Sequence, residues 1–343
     1  MEKLKVLVLG TGFFGKNWLR ELSSCGDCEV AGLVGKHPEL LAAAGEEFGI
    51  PAARRFATIA DGLDRAGAQA VVVALPEMVH KEAILAALGR GLHVLTEKPL
   101  AMTMAEAREI VRAARRVPAA VVMVDQNYRW RPETQTLRQA IRDGRIGAVG
   151  TIGYEYRQSI TRTTTDAWRE QMPHPFLHDM APHHFDFLRA CTGLECVQVM
   201  AAGARPAWNW YQGLPGVDAI LSFERGVSAS YTGTMVARGL ATPQDGIITV
   251  VGGGGTLRLE ADSQVRWYGE KGGSEVIPHV AMPFTDLAGT LQDFLAAIRE
   301  GRKPETHLED NVRTLAMVEA AIRSVETGQP VAVGPLVAEA LRV

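Results

Sequence analysis

The chain has 343 residues, of which 47% are hydrophobic and 22% charged, and its formal net charge is -3. That length predicts two domains, each with enough apolar residues for its own core. The near balance of charge, with no long basic or acidic run, gives no electrostatic reason to expect nucleic acid or an anionic membrane as partner. The first residues enter a strand with no signal-peptide pattern, and no apolar run reaches spanning length, so a cytoplasmic protein acting on small molecules is expected. The four cysteines do not form a disulfide framework. Cys25 and Cys28 make one C-x-x-C, no second follows, and Cys191 and Cys196 have the wrong spacing, so neither zinc nor redox chemistry is expected.

Lys5 to Leu9 is a continuous apolar run, as in a strand buried on both faces. It leads into Gly10-Thr11-Gly12-Phe13-Phe14-Gly15 and then a helical stretch from Lys16 to Ser23. The strand before and the helix after give G-x-G-x-x-G the context of a dinucleotide fingerprint. Gly10 permits the tight turn, Gly12 lets a pyrophosphate approach the backbone, Gly15 lets helix and strand pack closely, and helix amides face the phosphates. The next strand, Glu29 to Val34, ends without the acidic residue that would hold a ribose 2′-hydroxyl: the chain reads Gly35-Lys36-His37-Pro38. Without that carboxylate nothing repels a 2′-phosphate, and Lys36 can pair with one, so NADP is the expected cofactor and NAD the alternative.

A helix from Pro38 to Phe48, a strand from Ala70 to Leu75, a helix from Glu77 to Leu88 and a strand from His93 to Thr96 follow. A helix from Met104 to Arg115 and a strand from Ala120 to Val124 complete the half. Alternating strands and helices imply right-handed crossovers and a doubly wound Rossmann sheet. The strand ending at Leu95 and Thr96 is followed by Glu97-Lys98-Pro99. A lysine therefore sits at the carboxyl end of a buried strand, where open parallel sheets bind ligands. Pro99 keeps Lys98 out of the helical region and so limits its direction.

GTGFFGKNW, AVVVALPEMVH, GLHVLTEKPLAMTMAEA and the later DMAPHHFD together resemble the glucose–fructose oxidoreductase, inositol dehydrogenase and MocA family over nearly the whole chain. The resemblance implies that Lys98 belongs to an active site, beside Glu97, and that Pro76 and His80 shape the nicotinamide side. Leu75 stands where threonine is common in the family, and Gly35 where some members have aspartate.

Asp125 to Pro132 leaves the sheet and enters a helix from Glu133 to Arg142, which divides the chain into a nucleotide-binding domain, 1–124, and an α+β domain, 125–343. The segment resembles the family's N-Y-R-F crossing, which makes Tyr128 and Arg129 candidates for lining the cleft. A half-buried strand from Gly150 to Gln158 and a polar loop, Thr161 to Asp166, of mobile composition come next. From Trp168, taken as a substrate-side residue, the chain runs into a helix over Phe176 to Cys191, which Pro182 should distort or restart. A regular turn would put Asp179 and His183 on one face, able to act on one substrate, with Asp186 orienting or capping. His184 is expected to face solvent. The five His and Asp side chains from His174 to His184 lack a recognised zinc spacing, so no metal is expected.

Strand-like segments over Val217 to Glu224, Val227 to Val236, Ile247 to Val251 and Thr256 to Glu260 predict a large, mostly antiparallel open sheet, with Gly252 to Gly255 as a hairpin turn. Helices over Asp286 to Arg299 and Leu308 to Thr327 close the chain. Helices on one sheet face leave the other to be covered, which points to a homodimer or homotetramer, as the resemblance also implies. The functional expectation is hydride transfer between NADP and a carbinol carbon of a sugar, cyclitol or derivative. His183 would be the acid/base, Lys98 would stabilise alkoxide charge on the same oxygen, and Asp179 would orient His183 or a neighbouring hydroxyl. Two alternatives stay open: a transient redox cycle serving elimination or glycoside cleavage, and a non-catalytic dinucleotide sensor.

Overall fold

A computed structural model describes residues 2–161 and 170–342. It separates into two compact units, the first comprising Met1–Asn127, Phe284–Val312 and Glu339–Val343, the second Tyr128–Pro283 and Arg313–Ala338.

The first unit is built on strands β1 (Leu4–Leu9), β2 (Cys28–Val34), β3 (Arg55–Phe56), β4 (Ala70–Val73), β5 (His93–Thr96) and β6 (Val122–Val124). They form one sheet in the order β3-β2-β1-β4-β5-β6, every pairing parallel. This is the doubly wound order with its reversal between β1 and β4, and a ligand crevice belongs at the carboxyl ends of those strands. β4 is apolar throughout, and β1 and β5 are apolar along their central residues, because helices cover both faces; Leu7, Leu9, Val71, Val73, Val94 and Leu95 are all fully buried. Capping residues define two of the helices. Thr58 and Thr103 each accept a hydrogen bond from the backbone N–H three residues on, starting Ile59–Arg65 and Met104–Arg116. Glu106 completes the second cap by accepting from the Met102 N–H at 2.9 Å.

The return of the chain to this unit differs from a division after residue 124. The helix Asp286–Glu300 packs its apolar stripe, with Leu291, Phe294 and Leu295, into the same core as Trp18, Leu19 and Leu22. Amphipathic spacing states that such a face is buried but not against which sheet.

The second unit holds β7 (Val149–Arg157), β8 (Cys196–Ala204), β9 (Gly216–Phe223), β10 (Ser228–Thr234), β11 (Ile247–Gly252), β12 (Gly255–Leu259), β13 (Val265–Gly269), β14 (Ser274–Ile277) and β15 (Val331–Ala332). Their order is β14-β13-β12-β11-β7-β10-β9-β8-β15, and only β7 and β10 run parallel. Gly252 pairs with Gly255 at the β11–β12 hairpin, as expected for that glycine run. Burial alternates along the strands: Val199, Leu221, Ala229, Tyr231, Ile152 and Val250 point into the core, while Met200, Ile220, Ser230, Thr151 and Val251 are exposed on the other face. The sequence reading did not resolve β3, β8, β13, β14, β15 or the last helix, Val333–Leu341. Among the described residues no helix is long and apolar enough to cross a membrane.

Two glycines of the first loop meet different constraints. Gly10 has φ +122, and a Cβ there would lie 2.1 Å from the Ala74 carbonyl oxygen, whereas a Cβ on Gly12 would meet nothing within 4 Å. Gly10→Ala should therefore cost at least about 1–3 kcal/mol of stability, and Gly12→Ala about 0.5 kcal/mol or less. Denaturant unfolding of both variants checks this; equal losses would contradict the assigned constraint.

Candidate functional site

In the first unit, β1 turns at Gly10 into the helix Phe13–Ser24, whose first turn carries no acidic side chain. A Cβ on Gly15 would lie 2.2 Å from the Gly10 carbonyl oxygen, so glycine here lets the helix start directly against the loop. The open space at Gly12 and the unopposed helix N-terminus fit a pyrophosphate. Thr11 flanks this turn, and Phe13 and Phe14, both exposed, pack edge to face with ring centroids 5.3 Å apart. At the end of β2, Gly35 is buried while Lys36 and His37 are exposed. A Cβ on Gly35 would come within 2.5 Å of the Thr11 methyl, so glycine at this position also serves close packing against the loop. Its meaning is thus not only the missing carboxylate.

His80 is buried with Nδ1 2.8 Å from the Pro99 carbonyl and Nε2 2.9 Å from the Leu75 carbonyl. It bridges the Leu75–Pro76 turn after β4 and the loop after β5. Burial pushes its pKa below the ordinary value, while the two facing carbonyls pull the other way. Lys98 is half-buried at the end of β5, and the Lys98–Pro99 bond is cis. The neighbouring Glu97 carboxylate is buried and accepts from the Trp18 indole N–H at 2.8 Å. Asp125, at the end of β6, accepts from the Thr290 hydroxyl at 2.9 Å. Burial, and then the Glu97 charge, push Asp125 well above the usual carboxylate range, against the Thr290 bond and the Lys98 charge. Trp18 and Asp125 were not singled out from sequence; an aspartate directly after the apolar Val122–Val124 was the available signal.

In the second unit the expected long helix is two, Pro175–Asp179 and Ala181–Thr192, separated at Met180. Pro182 has no N–H to continue the ladder, and the His183 N–H turns to the Met180 carbonyl at 3.1 Å. Asp179 therefore ends one helix and His183 lies in the first turn of the next. His183 is 8% exposed and stacks on the Tyr128 ring, centroids 4.3 Å apart and planes 7° from parallel. The Arg131 guanidinium lies 3.7 Å from the same ring's centroid and pairs with Asp245. Burial raises Asp245 to about 6, with Arg131 opposing. Tyr156, another residue missed from sequence, is buried, and its hydroxyl is pushed up by burial and then by neighbouring Tyr128, Asp179 and Tyr211.

One expectation is corrected here. His184 does not face solvent: it is fully buried, with Nδ1 2.8 Å from the Tyr231 hydroxyl and rings of Tyr154 and Tyr156 around it. Polar character suggested exposure, but an aromatic cluster with one hydroxyl partner accommodates an imidazole in a core. Arg129 is a buried ion-pair residue, with Nε and Nη2 donating to Asp186 at 2.7 and 2.8 Å. Trp168 and most of the Thr161 to Asp166 loop lie outside the described residues. Among those described, no three His, Cys, Asp or Glu side chains converge as metal ligands. Burial pushes the Cys28 thiol upward, away from reactivity.

A glycine-loop Rossmann unit followed by an open-sheet α/β unit is the organisation of a class of dinucleotide-dependent oxidoreductases. Residues 4–126 match the model of an oxidoreductase family with an NAD-binding Rossmann fold, and residues 138–333 match that family's C-terminal alpha/beta domain. The chain belongs to the glucose–fructose oxidoreductase, inositol dehydrogenase and MocA family. It is 28% identical over 355 residues to D-apiose dehydrogenase of Paraburkholderia graminis, covering 99% of this chain and 92% of that protein. It is also 28% identical over 341 residues to inositol 2-dehydrogenase of Arthrobacter sp. (strain FB24), covering 97% and 96%. An oxidoreductase from Agrobacterium radiobacter, solved in complex with NAD+, L-tartaric acid and magnesium, superposes with a TM-score of 0.88 at 21% identity, covering 97% of this chain and 99% of that one.

Removing one partner of a buried ion pair leaves the other charge uncompensated. Arg129→Met should thus cost about 3–5 kcal/mol, and the double variant Arg129→Met, Asp186→Leu should recover most of it. Denaturant unfolding of the two checks the assignment; a single-variant loss below about 1 kcal/mol would be that of an exposed pair.

Proposed function

We propose that this oxidoreductase moves hydride between nicotinamide C4 of NADP and a carbinol carbon of a sugar, cyclitol or derivative. The observation that carries the reading is Lys98, a half-buried ammonium at the carboxyl end of β5, next to the buried Glu97 carboxylate and near the buried Asp125 carboxyl group. An ammonium held at that strand end can donate to an oxygen that gains negative charge. The names of two relatives, dehydrogenases of D-apiose and of inositol, support a polyhydroxylated substrate.

The dinucleotide supplies the hydride acceptor and donor when bound. Gly12 and the amides beginning the helix Phe13–Ser24 hold its pyrophosphate, and Lys36 pairs with the 2′-phosphate, with no carboxylate at the end of β2 to repel it. Pro76 and His80 shape the nicotinamide side. His183 takes the hydroxyl proton in oxidation and returns it in reduction, Lys98 steadies the alkoxide, and Asp179 orients His183 or a neighbouring hydroxyl. Tyr156 is buried near Asp179 and Tyr128 in the second unit. The exposed sheet face, with Met200, Ile220 and Val251, is covered by a second copy of the chain.

Incubation with a panel of polyols and aldoses, followed by nicotinamide absorbance and product masses, tests the reaction class. Lys98→Met keeps the stem and removes the donor, so kcat should fall by at least about 10² while the NADP dissociation constant stays nearly unchanged. In parallel, Lys36→Ala should weaken NADP and leave NAD alone. Lys36 is the cleaner probe, because Gly35→Asp would push its Cβ into Thr11. Near-normal turnover in Lys98→Met with intact cofactor affinity would remove Lys98 from the reaction, and equal loss of both cofactors in Lys36→Ala would remove Lys36 from the 2′-phosphate.

A further inference from the structure

The ring of Tyr128 has a planar group against each face. The His183 imidazole lies parallel to it at 4.3 Å, and the Arg131 guanidinium carbon stands 3.7 Å from its centroid. Two groups that close cannot share one face of a six-membered ring, so the tyrosine is sandwiched. The stack is anchored behind Arg131, whose guanidinium pairs with buried Asp245. The backbone there is fixed in turn, since the Tyr154 hydroxyl of β7 donates to the Asp245 carbonyl at 2.6 Å. A continuous line of contacts thus runs from the sheet through Asp245, Arg131 and Tyr128 to the imidazole.

We propose that Tyr128 and Arg131 are positioning residues for His183: the sandwiched tyrosine ring sets the plane in which the imidazole presents its nitrogens. This rests on the reading of His183 as the proton carrier. It gives Tyr128 a different task from lining the cleft and gives Arg131 a task it did not have. Proton transfer demands hydrogen-bond reach and alignment, and small displacements of a catalytic group are costly. A flat surface against the imidazole restrains its rotation without itself engaging a ring nitrogen. Arg131 restrains the tyrosine from the other side by cation–π contact, and Asp245 restrains Arg131.

The test uses the full chain carrying 13C-labelled histidine, with the His183 ring signals assigned by their loss in His183→Asn. Stacking on an aromatic ring shifts the imidazole protons upfield. Tyr128→Phe should keep that shift, and Tyr128→Leu should abolish it and lower kcat by about 10- to 100-fold with a smaller change in KM. Tyr128→Phe should recover most of the turnover that the leucine variant loses. Should Tyr128→Leu fail to fold, Arg131→Met provides the same comparison, with the upfield shift and kcat both reduced. Unchanged His183 signals in Tyr128→Leu or Arg131→Met, or a Tyr128→Phe variant as impaired as the leucine one, would overturn the proposal. Normal turnover in His183→Asn would instead overturn the proton-carrier reading, a result separate from the ring-shift comparison.

Discussion

The first unit depends on the contact between Trp18 and Glu97, 79 residues apart in sequence and 2.8 Å apart in space. A carboxylate taken out of water must be met by a donor, and an indole offers one N–H on a large apolar body, so it can satisfy the charge while filling a core. Trp18 belongs to the helix that leaves the glycine loop, and Glu97 immediately precedes Lys98. One buried hydrogen bond therefore registers the glycine-loop helix against the strand end that carries the ammonium. Asp125 adds a second buried carboxyl to the group, and it is satisfied by Thr290 from the returning helix. That requirement gives the return of Phe284–Val312 to this unit a polar as well as an apolar reason.

A comparable arrangement supports the second unit. Asp186 accepts from Arg129 through two bonds and from Thr314, while Arg189 donates to Thr314 and, through two more bonds, to Glu195. Such networks add little net stability over apolar packing, yet each member is costly to remove alone, so they specify one arrangement. Here they fix the helix Ala181–Thr192 against the crossing segment that brings Tyr128. His183 and Tyr128 are thereby held by elements that share a buried ion pair, and their stacking follows from that anchoring.

Much of this was legible in the sequence for physical reasons. Parallel strands buried on both faces are continuous apolar runs, so Leu7 to Leu9 and Ala70 to Val73 declare themselves, and Gly10 and Gly15 sit where a side chain has no room. Lys98 was readable because a charge directly after such a strand must lie at its end. The remainder depended on partners distant in sequence. β8 ends in Ala-Ala-Gly-Ala and β15 has two residues, too little alternation to mark either as a strand. The polar character of His184 concealed a core position that only the surrounding tyrosines make tenable. The glycine at position 35 reads as a lost carboxylate, yet its close approach to Thr11 is visible only in three dimensions. Tyr128 and Arg131 are three apart in sequence, and nothing in that spacing announces a stack on His183.

Hydride transfer is most directly tested by the fate of the carbinol hydrogen. Polyols deuterated at their carbinol carbons can be incubated with the protein and NADP, and the reduced nicotinamide examined by mass spectrometry and proton NMR. Transfer between substrate carbon and nicotinamide C4 predicts that the deuterium appears at C4, on one face of the ring. Reduced nicotinamide without the label, or consumption of the polyol with its deuterium released to water, would contradict it.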